Sequence, residues 1–177
     1  WVISFLQERR EIIKLSAQLL RSSINMNHVD LLAGGETAGI PYSSWLSEEL
    51  SKPMLYVRKK PKGFGRNSQI EGNVTENSEV LLIEDLATDG GSKLMFVDAL
   101  RESGLVVKDI FVVFFYGAFP GTQESMERAG VNLHYLANWW DVLDQAEKGN
   151  YFSDSDLSNV RKFLKDPTRW SKENGGK

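Results

Sequence analysis

Short unbroken apolar runs alternate along this chain with stretches whose apolar residues recur every three or four positions, the patterns of buried strands and of amphipathic helices. Val80-Leu81-Leu82-Ile83 is such a run, bounded by turn formers, and predicts a buried strand. It ends in Glu84-Asp85 and leads through Leu86-Ala87-Thr88-Asp89-Gly90-Gly91-Ser92 into a helix predicted from Lys93 to Ser103, with Leu94, Val97, Ala99 and Leu100 on its inner face. A second unit of the same order precedes it: a strand over Val29 to Ala33, a loop at Gly34-Gly35-Glu36-Thr37-Ala38-Gly39, and a helix over Ile40 to Leu50 with Pro41 in its first turn.

The remaining pattern completes an alternation of β and α elements. Residues 4–22 read as a helix with Phe5, Ile12, Ile13, Leu15, Leu19 and Leu20 on one side. Strands are predicted at Met54 to Val57, Asp109 to Phe115 and Val131 to Leu136, and a short helix at Gln123 to Ala129. Asn138 to Lys148 reads as a helix with an Asn cap, its Trp139-Trp140 pair as core rather than as a base-stacking platform. Asp154 to Lys165 is a helix with Leu157, Val160, Phe163 and Leu164 buried; Asp166-Pro167 stops it, and a polar tail follows from Lys172. This alternation predicts an α/β fold, a mostly parallel central sheet flanked by helices, with ligands beyond the carboxyl ends of the strands.

Composition narrows the chemistry. With 177 residues, 41% of them hydrophobic, the chain 1–177 is expected to form a single domain. It has no apolar run near the ~20 residues of a membrane span, and its start lacks a signal-peptide pattern, so a cytoplasmic location and no membrane partner are expected. The absence of cysteine excludes disulfides and thiolate chemistry, and the two histidines, His28 and His134, are well separated. Any metal is then a hard cation held by oxygen. A net charge of −3 argues against nucleic acid as a main partner, although Arg58-Lys59-Lys60-Pro61-Lys62-Gly63-Phe64-Gly65-Arg66 is strongly basic and suits a mobile loop.

The strand, acids, glycine loop and helix around Glu84 describe a pocket. Glycines let backbone N–H groups turn inward and the helix N-terminus adds partial positive charge, which suits a phosphate. The carboxylates suit sugar hydroxyls or a hydrated divalent metal. The stretch Val80 to Ser92 resembles the phosphoribosyl-pyrophosphate signature of the type I phosphoribosyltransferases, with Asp89 where that family usually has Thr or Ser. Arg58-Lys59 and Lys62, followed by Gly and then by Ile70-Glu71-Gly72, resemble the catalytic loop of the orotate phosphoribosyltransferases.

The resemblance implies a type I phosphoribosyltransferase fold with a small, truncated N-terminal hood. It implies transfer of ribose 5-phosphate from phosphoribosyl pyrophosphate to orotate, giving orotidine monophosphate and pyrophosphate in pyrimidine biosynthesis, with Mg²⁺ bound through the substrate and Glu84 and Asp85 as its candidate protein contacts. Arg58, Lys59 and Lys62 become pyrophosphate contacts, with Arg66 a substitute for the family's loop His, whose place Phe64 takes. Glu36, Thr37, Ala38 and Gly39 become the pyrophosphate loop, which in the family often contains a non-proline cis peptide and a Lys where Ala38 stands. Glu84 and Asp85 would hold the ribose, and Thr88, Asp89, Gly90, Gly91 and Ser92, with Leu86 and Ala87, the rest of the sugar phosphate; Thr88 would also reach orotate. Asp89 is expected to point outward and cap the helix at Ser92 or Lys93, leaving the Gly90 and Gly91 amides to the phosphate. A homodimer is implied, the basic loop of one subunit serving the other's site. No Arg follows Phe115, where many members contact the base, so transfer to another base and a noncatalytic sensor of phosphoribosyl pyrophosphate stay open as alternatives.

Overall fold

The computed structural model describes residues 4–63 and 69–176. Helix α1 (Leu6–Ser23) leads to β1 (Leu31–Gly35), α2 (Gly39–Leu50), β2 (Met54–Val57) and a two-residue β3 (Ile70–Glu71). Then come β4 (Glu79–Ala87), α3 (Gly91–Glu102), β5 (Val106–Phe115), α4 (Thr122–Arg128) and β6 (Asn132–Asn138), before α5 (Trp139–Lys148), α6 (Asp154–Lys165) and α7 (Pro167–Glu173). The six strands form one sheet in the order β3-β2-β1-β4-β5-β6. All neighbours are parallel except β2 and β3, which form a short antiparallel ladder pairing Tyr56 with Glu71 and Val57 with Ile70.

Because both faces of the sheet are covered, its central strands are apolar at successive positions and their period-2 alternation sorts residues between two cores. Leu32, Leu81, Ile83 and Phe111 face α1 and α2, where they meet Ile13, Ala17, Leu20 and Leu46. Ala33, Val80, Leu82 and Ile110 face the other way, toward Phe96, Val97, Leu100 and Met126 of α3 and α4. On α1 the buried stripe is Ile13, Ser16, Ala17 and Leu20. Phe5 and Leu15, expected on that stripe, are 47% and 42% exposed because the sheet touches a narrower arc of the helix than the apolar residues span.

Three boundaries move for tertiary reasons. Gly34 and Gly35 belong to β1 rather than to a loop, since the chain stays paired with β2 as far as Val57. Strand β4 runs four residues past Ile83, so Glu84 and Asp85 lie inside the strand instead of at its tip, held there by pairing with β5 from Glu84↔Val112 to Ala87↔Phe115. Pro167 ends α6 and also opens α7, with Asp166 as the cap accepting from the Arg169 N–H at 2.9 Å, so a further helix stands between α6 and the polar tail and takes in the tail's first two residues, Lys172 and Glu173.

The C-terminal helices close over the end of β6 through a small core of Leu143, Ala146, Leu157 and Leu164. Asn138 caps α5 in a reciprocal capping box with Asp141. Trp139 stands edge-on to Phe114, with centroids 5.3 Å apart, and Trp140 donates its indole N–H to the Gly117 carbonyl at 3.2 Å. Both act as packing groups. Val160, expected to be buried, is 38% exposed, as α6 contacts its neighbours through Leu157 and Leu164.

Gly34 fixes how closely α2 approaches β1. A Cβ there would stand 2.8 Å from Ile40 Cα and 3.0 Å from the Gly39 carbonyl oxygen, both backbone atoms of the helix start. Gly34→Ala is therefore expected to cost about 1–3 kcal/mol, which thermal melting should read as roughly 2–4 °C per kcal/mol. An unchanged Tm would mean that the start of α2 can move off the sheet freely.

Candidate active site

Strands β1 and β4 separate at the carboxyl edge of the sheet. Their pairing ends at Gly34↔Ile83, whereas β4 keeps β5 beside it to Ala87. From Glu84 onward β4 thus has a neighbour on one side only, and the opening coincides with the point where the connections turn in opposite directions across the sheet, the place where open parallel sheets bind ligands. The loop after β1, the residues after β2, the end of β4 and the start of α3 enclose a cavity of about 390 Å³ there.

One wall is Glu36, Thr37 and Ala38, and the Glu36–Thr37 peptide is cis. Glu36 is anchored at both ends: its N–H donates to the Val57 carbonyl at 2.9 Å, and its carboxylate accepts from the Lys59 N–H at 2.7 Å. That bond joins the first wall to the basic segment and places Lys59 at the cavity. Gly39 supports the wall from beneath, where a Cβ would meet the Ile83 carbonyl oxygen at 2.5 Å.

The two acids do not act side by side. Adjacent residues of a strand point to opposite faces, so Glu84 turns toward α3 and Asp85 toward α2, although both reach the cavity. Glu84 is 4% exposed. Its Oε2 accepts from Lys93 Nζ at 2.6 Å, and its Oε1 is buried without a hydrogen-bond partner. The carboxyl fits only because Gly35 and Gly39 have no side chains: a Cβ at Gly35 would fall 1.8 Å from Oε1, and one at Gly39 2.7 Å from it. Burial pushes the Glu84 carboxyl up to about 7, against the opposing pull of the Lys93 ammonium. Asp85, half-buried, makes no side-chain hydrogen bond or ion pair among the described residues. With burial, its carboxylate raises the Tyr42 hydroxyl above the usual tyrosine range.

The wall opposite is the end of β4 and the loop that leads into α3. Leu86, Thr88 and Ser92 line the cavity, while Ala87 is fully buried in the core and shapes the wall from behind. Thr122 Oγ1 donates toward the Thr88 carbonyl at 3.4 Å and the Phe119 carbonyl at 3.2 Å, tying this loop to the segment after β5. Gly90 has φ 83° and would put a Cβ 2.5 Å from Met126 Cε, so no other residue fits without displacement. Asp89 is exposed as expected, but it accepts from the Gly91 N–H at 3.1 Å rather than from Ser92 or Lys93. Gly90 itself takes the N-cap position, which brings the nearest free amide one residue earlier than anticipated, and the Gly91 N–H is spent on Asp89.

Of the residues expected at the site, the structure gathers Glu36, Thr37, Ala38, Lys59, Glu84, Asp85, Leu86, Thr88 and Ser92 around one cavity. Gly39, Ala87, Asp89, Gly90 and Gly91 form its frame. Arg58 and Lys62 do not line it: both pair with Glu71, Arg58 Nη1 lying 3.4 Å from Oε1, because β3 holds that carboxylate beside the base of the loop. Phe64 and Arg66 lie outside the described residues. Two lining residues escaped the sequence reading, Phe96 and Lys93. For Phe96 the spacing carried a signal, since it shares one helical face with Val97 and Leu100, whereas nothing local set Lys93 apart from a solvated lysine.

The chain is 48% identical over 173 residues to an orotate phosphoribosyltransferase of a Ruegeria species, covering 98% of this chain and 76% of that one. It is 46% identical over 173 residues to the orotate phosphoribosyltransferase of Roseobacter denitrificans, covering 98% and 77%. This chain belongs to the orotate phosphoribosyltransferase family. Among solved structures, the orotate phosphoribosyltransferase of Aeropyrum pernix superposes with a TM-score of 0.72 at 27% identity, over 86% of this chain and 81% of that one. The fold also matches the UMP synthase of Leishmania donovani, with a TM-score of 0.77 at 24% identity over 92% of this chain and 34% of that one. No protein-family model matches the chain. Within the orotate phosphoribosyltransferase family the fold is thus the type I phosphoribosyltransferase architecture expected from the sequence.

The raised Glu84 carboxyl has a measurable consequence. A folded-state value above the ordinary 4.5 means that the folded protein holds this proton more tightly than the unfolded chain. Its contribution is complete below about pH 4.5 and is lost as pH rises through about 7. Denaturant unfolding should show the stability of the wild type falling, relative to Glu84→Gln, by on the order of 3 kcal/mol across that window. A difference independent of pH would mean that Glu84 stays ionised in the folded state throughout.

Proposed function

We propose that this chain transfers the ribose 5-phosphate group of phosphoribosyl pyrophosphate to orotate, giving orotidine monophosphate and pyrophosphate, a step of pyrimidine nucleotide biosynthesis. The observation that carries the reading is the cavity at the β1/β4 switch point, which joins the Glu36–Ala38 wall, Lys59, the two acids and the Thr88–Ser92 loop in a chain of this family. In the reaction the ring nitrogen of orotate gives up its proton and bonds to C1 of the ribose, while the C1–oxygen bond breaks and pyrophosphate leaves with its electron pair. C1 gains cationic character and the leaving group gains negative charge.

The residues divide along that charge. Thr88 and Ser92, with the loop amides and the α3 N-terminus, take the 5′-phosphate. Asp85 and Glu84 take the ribose hydroxyls from opposite faces of β4. Glu36, Thr37 and Ala38 bound the pyrophosphate, and Lys59 supplies positive charge where it departs. Arg58 and Lys62, which pair with Glu71 in this structure, join when the basic segment closes and excludes water.

The donor set also suits Mg²⁺ held mainly through substrate oxygens. No group of three or more acidic or histidine side chains that could hold a metal occurs among the described residues, and Glu84 is taken up with Lys93, which leaves Asp85 as the protein's oxygen donor. When bound there, Mg²⁺ supplies charge to the departing pyrophosphate. The working form is a cytoplasmic homodimer in which each basic segment serves the neighbouring site. No described helix is long and apolar enough to cross a membrane, which is compatible with that location.

The test is pyrophosphate release from phosphoribosyl pyrophosphate and Mg²⁺ with a panel of bases. Orotate is expected to exceed uracil, adenine and hypoxanthine by at least about a hundredfold in kcat/KM, since a site that pairs with a polar group rejects ligands lacking it. Activity with another base and none with orotate would reassign the substrate. Lys59→Ala should lower kcat on the order of 10²-fold with little change in Tm, as for loss of one preorganised charge. Lys62→Ala should lower it as well and should also alter closure kinetics, since Glu71 then keeps Arg58 but loses Lys62 as a partner. Near wild-type turnover in both variants would remove the basic segment from the mechanism.

A further inference from the structure

Lys93 breaks three rules at once. Lysine is rarely buried, yet Lys93 is 7% exposed. It stands in the first turn of α3, where the helix dipole disfavours a cation. And its helical face, shared with Phe96, Val97 and Leu100, is otherwise apolar. A salt bridge that served folding alone could be replaced there by well-packed apolar side chains at little or no cost, so the stability of the fold gives no reason for a lysine. A buried group that violates local preference beside a cavity points to function.

Its contacts say which function. Nζ donates to Glu84 Oε2 at 2.6 Å and to Ser92 Oγ at 3.3 Å. The ammonium therefore bridges the carboxyl on β4 to the hydroxyl at the start of α3, two elements that carry different parts of the site. It also places positive charge beneath a cavity lined by three carboxyl groups, Glu36, Glu84 and Asp85, with Lys59 as the other lining cation among the described residues. A polyanionic sugar phosphate entering such a cavity meets less repulsion because of it.

We propose that Lys93 is a positioning residue for the sugar-phosphate half of the substrate: by spanning Glu84 and Ser92 it sets the distance between the group that takes the ribose hydroxyls and the cup that takes the 5′-phosphate. The inference rests on the phosphoribosyl-transfer reading above and assigns no role in proton transfer. Glu84 has no other donor, its Oε1 being walled in by Gly35 and Gly39, so loss of Lys93 frees the carboxyl from its only hydrogen bond among the described residues. The pyrophosphate wall at Glu36–Ala38 is built from a different loop, anchored on Val57 and Lys59, and does not depend on the bridge.

This separation supplies the test. Titration calorimetry on Lys93→Met, in magnesium-containing buffer, should show binding of ribose 5-phosphate weakened about ten- to hundredfold, the worth of a charged hydrogen bond. Inorganic pyrophosphate should bind within about threefold of wild type, its wall being untouched. In turnover, KM for phosphoribosyl pyrophosphate should rise by a similar factor to the ribose 5-phosphate loss while KM for orotate holds. Lys93→Arg keeps the charge and the donor but changes the span between Glu84 and Ser92, and it carries the same expectation of a selective ribose 5-phosphate loss if Lys93→Met fails to fold. Ribose 5-phosphate affinity at the wild-type level in whichever variant folds, or equal losses for ribose 5-phosphate and pyrophosphate, would overturn the proposal. Failure of the wild type itself to bind phosphoribosyl pyrophosphate would instead sink the transferase reading, so the two failures are distinguishable.

Discussion

The Glu84 carboxyl needs more room than a strand residue beside a parallel neighbour normally finds, and several other positions are fitted to it. Gly35 and Gly39 leave the space into which Oε1 projects, with Phe96 closing the same gap from α3. Lys93 supplies the donor for Oε2. Replace either glycine and the side chain must leave; remove the lysine and a buried carboxyl loses its only partner among the described residues. The edge of the sheet between β1 and β4 is organised around satisfying this one group in a place with little water.

That constraint connects fold to chemistry. Strand β1 stops pairing with β4 at Ile83, and the gap exposes the end of β4 along one side only. The alternation of a strand then sends Glu84 to α3 and Asp85 to α2, so two adjacent acids serve different faces of one cavity. Asp85 makes no side-chain hydrogen bond or ion pair among the described residues. Glu84 is held in one orientation by Lys93. Preorganisation of this kind makes a site selective for ligands that reproduce its spacing.

The basic segment is handled differently. Lys59 is fixed at the cavity by its backbone bond to Glu36, whereas Arg58 and Lys62 rest on Glu71 at the base of the segment. In the same pairing, Lys62 and Arg58 hold the Glu71 carboxyl below the usual range, Lys62 most strongly. Both partners in these ion pairs are partly solvated, so little burial must be undone to separate them.

Much of this was legible in the chain itself. Apolar runs and helical periods located every long strand and helix, because both are local consequences of which residues can be buried. The acid-glycine loop and the basic segment identified the family, since phosphate and sugar hydroxyls demand those residue types at short spacing. What local pattern could not supply was anything set by a neighbour distant in sequence. The extension of β4 through Glu84 and Asp85 depends on β5, the assignment of Gly35 to a strand depends on β2 and on the bulk of Glu84, and the diversion of Arg58 and Lys62 depends on a two-residue strand pinning Glu71. Lys93 is the clearest case. In sequence it is a charged residue at the start of a helix, which reads as solvated; only the crossing of α3 over β4 brings it 2.6 Å from a carboxyl with no other donor among the described residues, and burial turns that approach into a fixed interaction.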